Sequence, residues 1–126
     1  MILDSNIVIY AAEPSDFRCA RFIEFENAAI ASVTRIEVLG FPGYDSLAID
    51  RKQRLHEIVA GLLEIKLDDV ITERAIDLRR QKRLRLADAI IAATALVSNL
   101  DLVTRNVADF KNIAGLYVIN PFDDRD

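Results

Sequence analysis

Short apolar runs alternate along the chain with longer segments whose apolar residues recur every three or four positions, which predicts strands separated by helices. Met1-Ile2-Leu3 closes on Asp4 and predicts a buried strand, and Ser5-Asn6 supplies capping chemistry for a helix through Ala12. Pro14-Ser15-Asp16 restarts the chain. Phe17 to Glu26 predicts a helix with Phe17, Ala20, Ile23 and Phe25 on one face. Ala28 to Val33, apolar except for Ser32, predicts a second strand. Thr34 is placed as the cap of a helix through Leu39, which Gly40-Phe41-Pro42-Gly43 breaks. The next helix opens at Ser46 or Asp50 and carries Leu47, Ile49, Leu55, Ile58, Val59 and Leu62. Leu63 to Leu67 alternates apolar and charged residues and predicts a third, less buried strand. Asp68-Asp69 opens a helix over Val70 to Leu84, and Asp88 opens another that runs to Ser98. Asp101 to Thr104 predicts a fourth strand, Asn106 to Phe110 a helical turn, and Leu116 to Ile119 a fifth strand. Pro121 is read as the end of ordered structure, with a loose tail over 121–126.

Alternating strands and helices define an α/β fold with a parallel sheet of four to five strands and helices on both faces. The 126 residues fit one domain over 1–126, with no repeat, linker or low-complexity stretch. Hydrophobic residues make up 52% and mean hydropathy is +0.16, enough apolar material for a core. Charge enters at Asp4 before any signal-peptide core forms, and the longest apolar stretch, Ala89 to Val97, is too short to span a bilayer, so the chain reads as soluble and cytoplasmic. The lone Cys19 fits a reducing compartment and reads as a small core residue. The lone His56, beside Glu57 in mid-helix, reads as a surface or boundary residue rather than a ligand.

Net charge is −4, which taken alone argues against nucleic acid. Its distribution changes that picture: Arg74, Arg79, Arg80, Lys82, Arg83 and Arg85 form a basic ridge against Glu73 and Asp77. The ridge is either a solvated helix end or a grip on RNA backbone, with Arg79, Arg80 and Arg83 as the candidate contacts.

In an open parallel sheet, ligands sit beyond the carboxyl ends of the strands. Asp4 closes the first strand, Ser32 and Thr34 flank the end of the second, Glu37 lies one helical turn on, and Thr104, Asn106 and Asp109 follow the fourth. Asp88 opens a helix after a loop that can reach the same edge. Each acid also has a plain structural role: Asp4 and Asp88 as caps, Asp109 in a capping pair with Asn106, Glu37 as a solvated helix residue. Together they are harder to explain away. Two carboxylates about 6 Å apart at an effective dielectric of about 20 repel by roughly 3 kcal/mol. Four make six pairs, so on the order of 10 kcal/mol opposes their clustering unless protons or a cation intervene. With no Cys or His among them, the oxygen-only set suits Mg²⁺ or Mn²⁺.

These motifs resemble a known family. Met1-Ile2-Leu3-Asp4-Ser5-Asn6 is similar to the opening of PIN-domain proteins, especially VapC-type toxin ribonucleases of type II toxin–antitoxin systems. Thr34-Arg35-Ile36-Glu37-Val38-Leu39 resembles their second acidic motif, Leu86-Ala87-Asp88-Ala89-Ile90-Ile91-Ala92-Ala93-Thr94-Ala95 the third, and Thr104-Arg105-Asn106-Val107-Ala108-Asp109-Phe110 the fourth. The resemblance implies that Asp4, Glu37, Asp88 and Asp109 hold Mg²⁺ or Mn²⁺ and carry catalysis, with Asn6, Thr104 and Asn106 as supporting polar residues. It further implies endoribonuclease activity on RNA, a homodimer and a VapB-like antitoxin partner. The segment Val38-Leu39-Gly40-Phe41-Pro42-Gly43 departs from relatives that carry a more helical stretch there.

Two other readings compete. A haloacid-dehalogenase-type phosphatase needs a second Asp two residues after the nucleophile, where Asn6 stands, and a receiver domain needs paired acids before the end of its first strand, which this chain lacks. A non-catalytic RNA- or protein-binding PIN-like module keeps the fold and gives any metal a structural role only.

Overall fold

The computed structural model describes residues 1–13 and 17–123, so the expected restart at Pro14-Ser15-Asp16 and the last tail residues lie outside the described residues. Strands β1 (Ile2–Leu3), β2 (Ala29–Ala31), β3 (Leu63–Ile65), β4 (Leu102–Val103) and β5 (Val118–Ile119) form one parallel sheet in the order β3-β2-β1-β4-β5. Between them run α1 (Ser5–Ala11), α2 (Phe17–Ala20), α3 (Ser32–Gly40), α4 (Ile49–Gly61), α5 (Asp69–Gln81) and α6 (Leu86–Ser98). Turns of 3₁₀ helix cover Arg21–Glu24, Tyr44–Ser46 and Val107–Phe110. The expected fold class therefore holds.

Period-two alternation divides the strand residues between two cores. Ile2, Ala29, Ala31 and Leu102 face α5 and α6, where Ile71, Leu78, Ile91 and Phe110 pack. Leu3, Ile30 and Val103 face the other way, against Ile7, Val8, Val38 and Leu55. Both faces of the sheet are thus covered at β1, β2 and β4, which is why those strands read as unbroken apolar runs, whereas edge strand β3 alternates. Among the described residues, no helix is long and apolar enough to cross a membrane.

The chain moves outward from β1 through β2 to β3, then returns to the other side of β1 for β4 and β5. The order reverses between β1 and β4, and a crevice opens beyond the carboxyl ends of strands at such a point. Leu3 is in register with Val103, so Asp4 and Thr104 leave the sheet side by side.

Several elements differ from the sequence reading. The helix expected over Phe17 to Glu26 is α2 followed by a 3₁₀ turn. It buries Cys19 and Phe22, keeps Ala20 and Ile23 partly buried and leaves Phe25 half exposed, while the Phe17 side chain lies outside the described residues. β2 stops at Ala31 because α3 has begun by Ser32. Thr34 is accordingly not a cap but a fully buried residue inside α3, whose N-cap is Ala31. α5 ends at Gln81, short of Leu84, and α6 begins at Leu86, so Asp88 sits in its first turn and not at its opening. Pro121 is buried, and the Phe122 ring packs edge-on against Tyr10 at 5.7 Å, so order continues past the expected end at Pro121. Cys19 is buried as expected. His56 is exposed, with its ring against Tyr44.

Candidate metal centre

Asp4 leaves β1 as the N-cap of α1. One carboxylate oxygen accepts the Ile7 N–H at 3.1 Å, and the other accepts the Thr104 hydroxyl. Thr104 in turn accepts the Asn106 N–H at 3.1 Å, which pins the loop after β4 to the end of β1. The turn then carries Asp109, whose N–H donates to the Asn106 carbonyl at 3.1 Å. Glu37, on the second turn of α3, accepts the Ser5 hydroxyl. Asp88 reaches the same place from the first turn of α6.

Asp4, Glu37, Asp88 and Asp109 all line one cleft of about 240 Å³, together with Ser5, Asn6, Arg85 and Asn106. Four separate elements therefore deliver the four acids to the switch point. Asn6 and Asn106 lie on the cleft wall, while Thr104 is fully buried behind it and acts through Asp4. Ser32 and Thr34, which the reading placed at this edge, do not line it. Ser32 instead donates to Glu64 at 2.7 Å, beside the Arg35–Glu64 ion pair.

Electrostatics bear out the crowding. Burial pushes the Asp4 carboxyl above its ordinary value and the Glu37 charge adds to the rise, against hydrogen bonds from Thr104 and from the N–H groups of Ile7 and Asn6. Burial likewise raises Asp88, reinforced by Asp109, Asp4 and Glu37 and opposed by Arg85. Buried Asp4 and half-buried Asp88 thus each feel their neighbours, and the charged form of each is disfavoured. Among the described residues, no three His, Cys, Asp or Glu side chains are already gathered into a metal-binding group. Asp4 is engaged by Thr104 and Glu37 by Ser5, and Glu37 and Asp109 lie exposed at the cleft. The donor set, carboxylate oxygen throughout in one cleft, fits a hard divalent cation of the Mg²⁺ or Mn²⁺ kind.

Two residues here escaped the sequence reading. Ser5 passed as capping chemistry alone, although its place directly after Asp4 puts it in the same first turn. Arg85 was one of several basic residues, and the signal that separates it is its position three before Asp88, at the N-cap of α6. Of the expected RNA contacts, Arg79 and Arg83 line a neighbouring basin with Lys82, Leu84 and Arg85, whereas Arg80 lies outside it and meets Asp77 at 3.9 Å.

Comparison with known proteins agrees with this architecture. The PIN domain family model matches residues 1–116. The chain is 31% identical over 129 residues to Ribonuclease VapC1 of Rickettsia felis, with 94% of each chain covered. Among solved structures it is similar to a chain of a toxin–antitoxin complex from Klebsiella pneumoniae, with TM-score 0.79, 31% identity, and 97% and 98% of the two chains covered. VapBC2 from Rickettsia felis, bound to a DNA fragment from its promoter, shares the fold at TM-score 0.79 and 23% identity, over 94% of this chain and 96% of that one. With its parallel sheet, its acid-lined switch point and a family match over most of its length, the chain belongs to the PIN-domain family.

Proposed function

We propose that the protein is a Mg²⁺- or Mn²⁺-dependent endoribonuclease that hydrolyses RNA phosphodiester bonds, and the toxin component of a toxin–antitoxin pair. The observation that carries this reading is the delivery of Asp4, Glu37, Asp88 and Asp109 from four elements to one cleft. The name of the Rickettsia felis relative, a ribonuclease, supports the substrate class. The Klebsiella pneumoniae relative was solved as a toxin–antitoxin complex, which supports an antitoxin of the VapB type as partner.

Asp4, Glu37, Asp88 and Asp109 would hold the cation. A divalent ion bound there supplies a lowered water pKa and neutralises charge building on the phosphate oxygens. The remaining steps belong to the chain's own residues. Thr104 fixes the Asp4 carboxylate by hydrogen bond, and the Ile7 N–H fixes its other oxygen. Glu37 or Asp109, both exposed at the cleft rim, accepts the proton of the attacking water. As the water oxygen bonds to phosphorus, the bond to the leaving ribose oxygen breaks, and that oxygen takes up a proton. Asn6 and Asn106 on the cleft wall offer amide donors to the phosphate oxygens.

The reading is tested by incubating the purified chain with RNA, with Mg²⁺ and with excess EDTA. Cleavage is expected only with the metal, and Asp4→Asn and Asp88→Asn should each lower the rate by at least about a hundredfold while keeping the native circular dichroism spectrum. Cleavage that persists in EDTA dismisses the metal mechanism. The spread of the acids gives the second reading its footing: a folded chain that binds RNA and antitoxin but cuts nothing with either metal is a non-catalytic module.

A further inference from the structure

The acid cleft is not isolated. Arg85 lines both the cleft and the shallow basin of about 480 Å³ beside it, whose other basic residues are Arg79, Lys82 and Arg83. Lys82 in turn lines both that basin and a further groove of about 390 Å³, walled by Arg74, Asp77, Gln81 and Asn112. Neighbouring concavities thus share a cation each, Arg85 between the first two and Lys82 between the last two. Among the described residues, Arg79, Lys82, Arg83 and Arg85 take part in no ion pair, while Arg80, which lines none of the three, has Asp77 as its partner. Four cations outside the ion pairs along one track, with Asp77 of the third groove offset by Arg80, mark a path for a polyanion. Leu86, next to Arg85, is 60% exposed and offers apolar surface at the junction.

We propose that Arg85 holds the phosphate next to the scissile one at the rim of the acid cleft, and that single-stranded RNA leaves the cleft over Arg85 into the Arg79–Lys82–Arg83 basin and on toward Arg74. This rests on the ribonuclease reading and adds to it a direction and an order of contacts. A guanidinium suits the junction because its planar fork can grip a phosphate in two places while its charge still faces Asp88. A single strand suits the track because its phosphates can follow a bent path that a stiff duplex cannot.

The test measures fluorescence anisotropy of a labelled tetranucleotide and a labelled dodecanucleotide RNA across a salt series. The protein is the full chain in an Asp4→Asn background, with Mg²⁺ present. Arg85→Gln is expected to weaken both oligonucleotides about tenfold and to reduce the salt slope by about 0.7 on each, one phosphate contact on a single strand. Arg79→Gln with Arg83→Gln should reduce the slope by about 1.4 on the dodecanucleotide and by less on the tetranucleotide. Arg85→Lys, which retains the charge, should restore the slope, and it keeps the test open if Arg85→Gln fails to fold. A merely structural Arg85, serving as counter-charge to Asp88, would change thermal stability and leave the slope alone. If the native chain cleaves RNA but Arg85→Gln matches its parent in affinity and slope at both lengths, the path is wrong and the ribonuclease reading stands. If the native chain cleaves neither oligonucleotide with Mg²⁺, both fall together.

Discussion

Asp4 does two jobs with one carboxylate. It caps α1 through the Ile7 N–H, and it stands at the floor of the acid cleft, 6% exposed. The cap role and the acid role compete as explanations in the sequence, and in the folded chain they coincide: the cap fixes the side chain where the other acids arrive. Asp88 shows the energetic consequence. Its carboxyl is raised by burial first, then by Asp109 and Asp4, so the folded state binds its proton more tightly than the unfolded chain does. The sign follows. A raised carboxyl contributes stability below its unfolded pKa and loses it as pH rises through the folded value. Metal-free protein carrying Asp88→Asn should therefore melt higher than the native chain at neutral pH, and the gap should close as pH falls toward the ordinary carboxylate range. Thermal melts in EDTA across a pH series check this, and a lower melting temperature for the variant at neutral pH would contradict it. Asp4, Asp88 and Asp109 were legible in the sequence because each sits near a strand or helix end, and Glu37 because it lies one helical turn after Thr34. Arg85 was not, since a run of basic residues does not reveal which one turns toward the acids.

At the scale of elements, the cap of α5 was readable while those of α3, α4 and α6 were not. Asp68 caps α5 as its position before Asp69 suggests, accepting the Ile71 N–H at 2.9 Å. Asp68→Ala should cost about 1 kcal/mol in chemical denaturation, with RNA cleavage at the native rate, because Asp68 is remote from the cleft lining. The strands are only two or three residues long, and the reading drew them longer. The physical reason is that apolar residues continue past the last strand pair into the next helix: Val33 packs against the core although α3 has begun. The same effect misplaced Thr34, since a hydroxyl after an apolar run has the pattern of a cap even where the helix already surrounds it. α6 defeats a stripe reading for another reason. Ala89, Ile91, Ala92, Ala93 and Ala95 are all buried, so the helix lies between α5 and the sheet and shows little polar face. It ends where Asn99 takes the left-handed conformation, at φ 55°, a position that short amide side chains tolerate.

In the whole molecule, alternation fixed the class of fold but not the strand order. No local pattern says that β4 will return to the side of β1, yet that crossover brings Thr104 against Asp4 across 100 positions of sequence and creates the crevice between them. Distant pairing of this kind is visible only once the sheet is assembled. It also explains how a chain of net charge −4 can suit RNA: the acids are collected at the switch point, and the unpaired cations lie along a separate track beside it. If the proposed toxin role holds, the native chain expressed alone should arrest growth, and co-expression with a VapB-like antitoxin should relieve that arrest. The central claim, that the four carboxylates close on a divalent cation, is tested most directly by calorimetric titration of the purified chain with Mn²⁺. Saturable binding by the native protein, lost in Asp4→Asn and Asp88→Asn, is the predicted result; equal heats from native and variant proteins, or none from either, would contradict it.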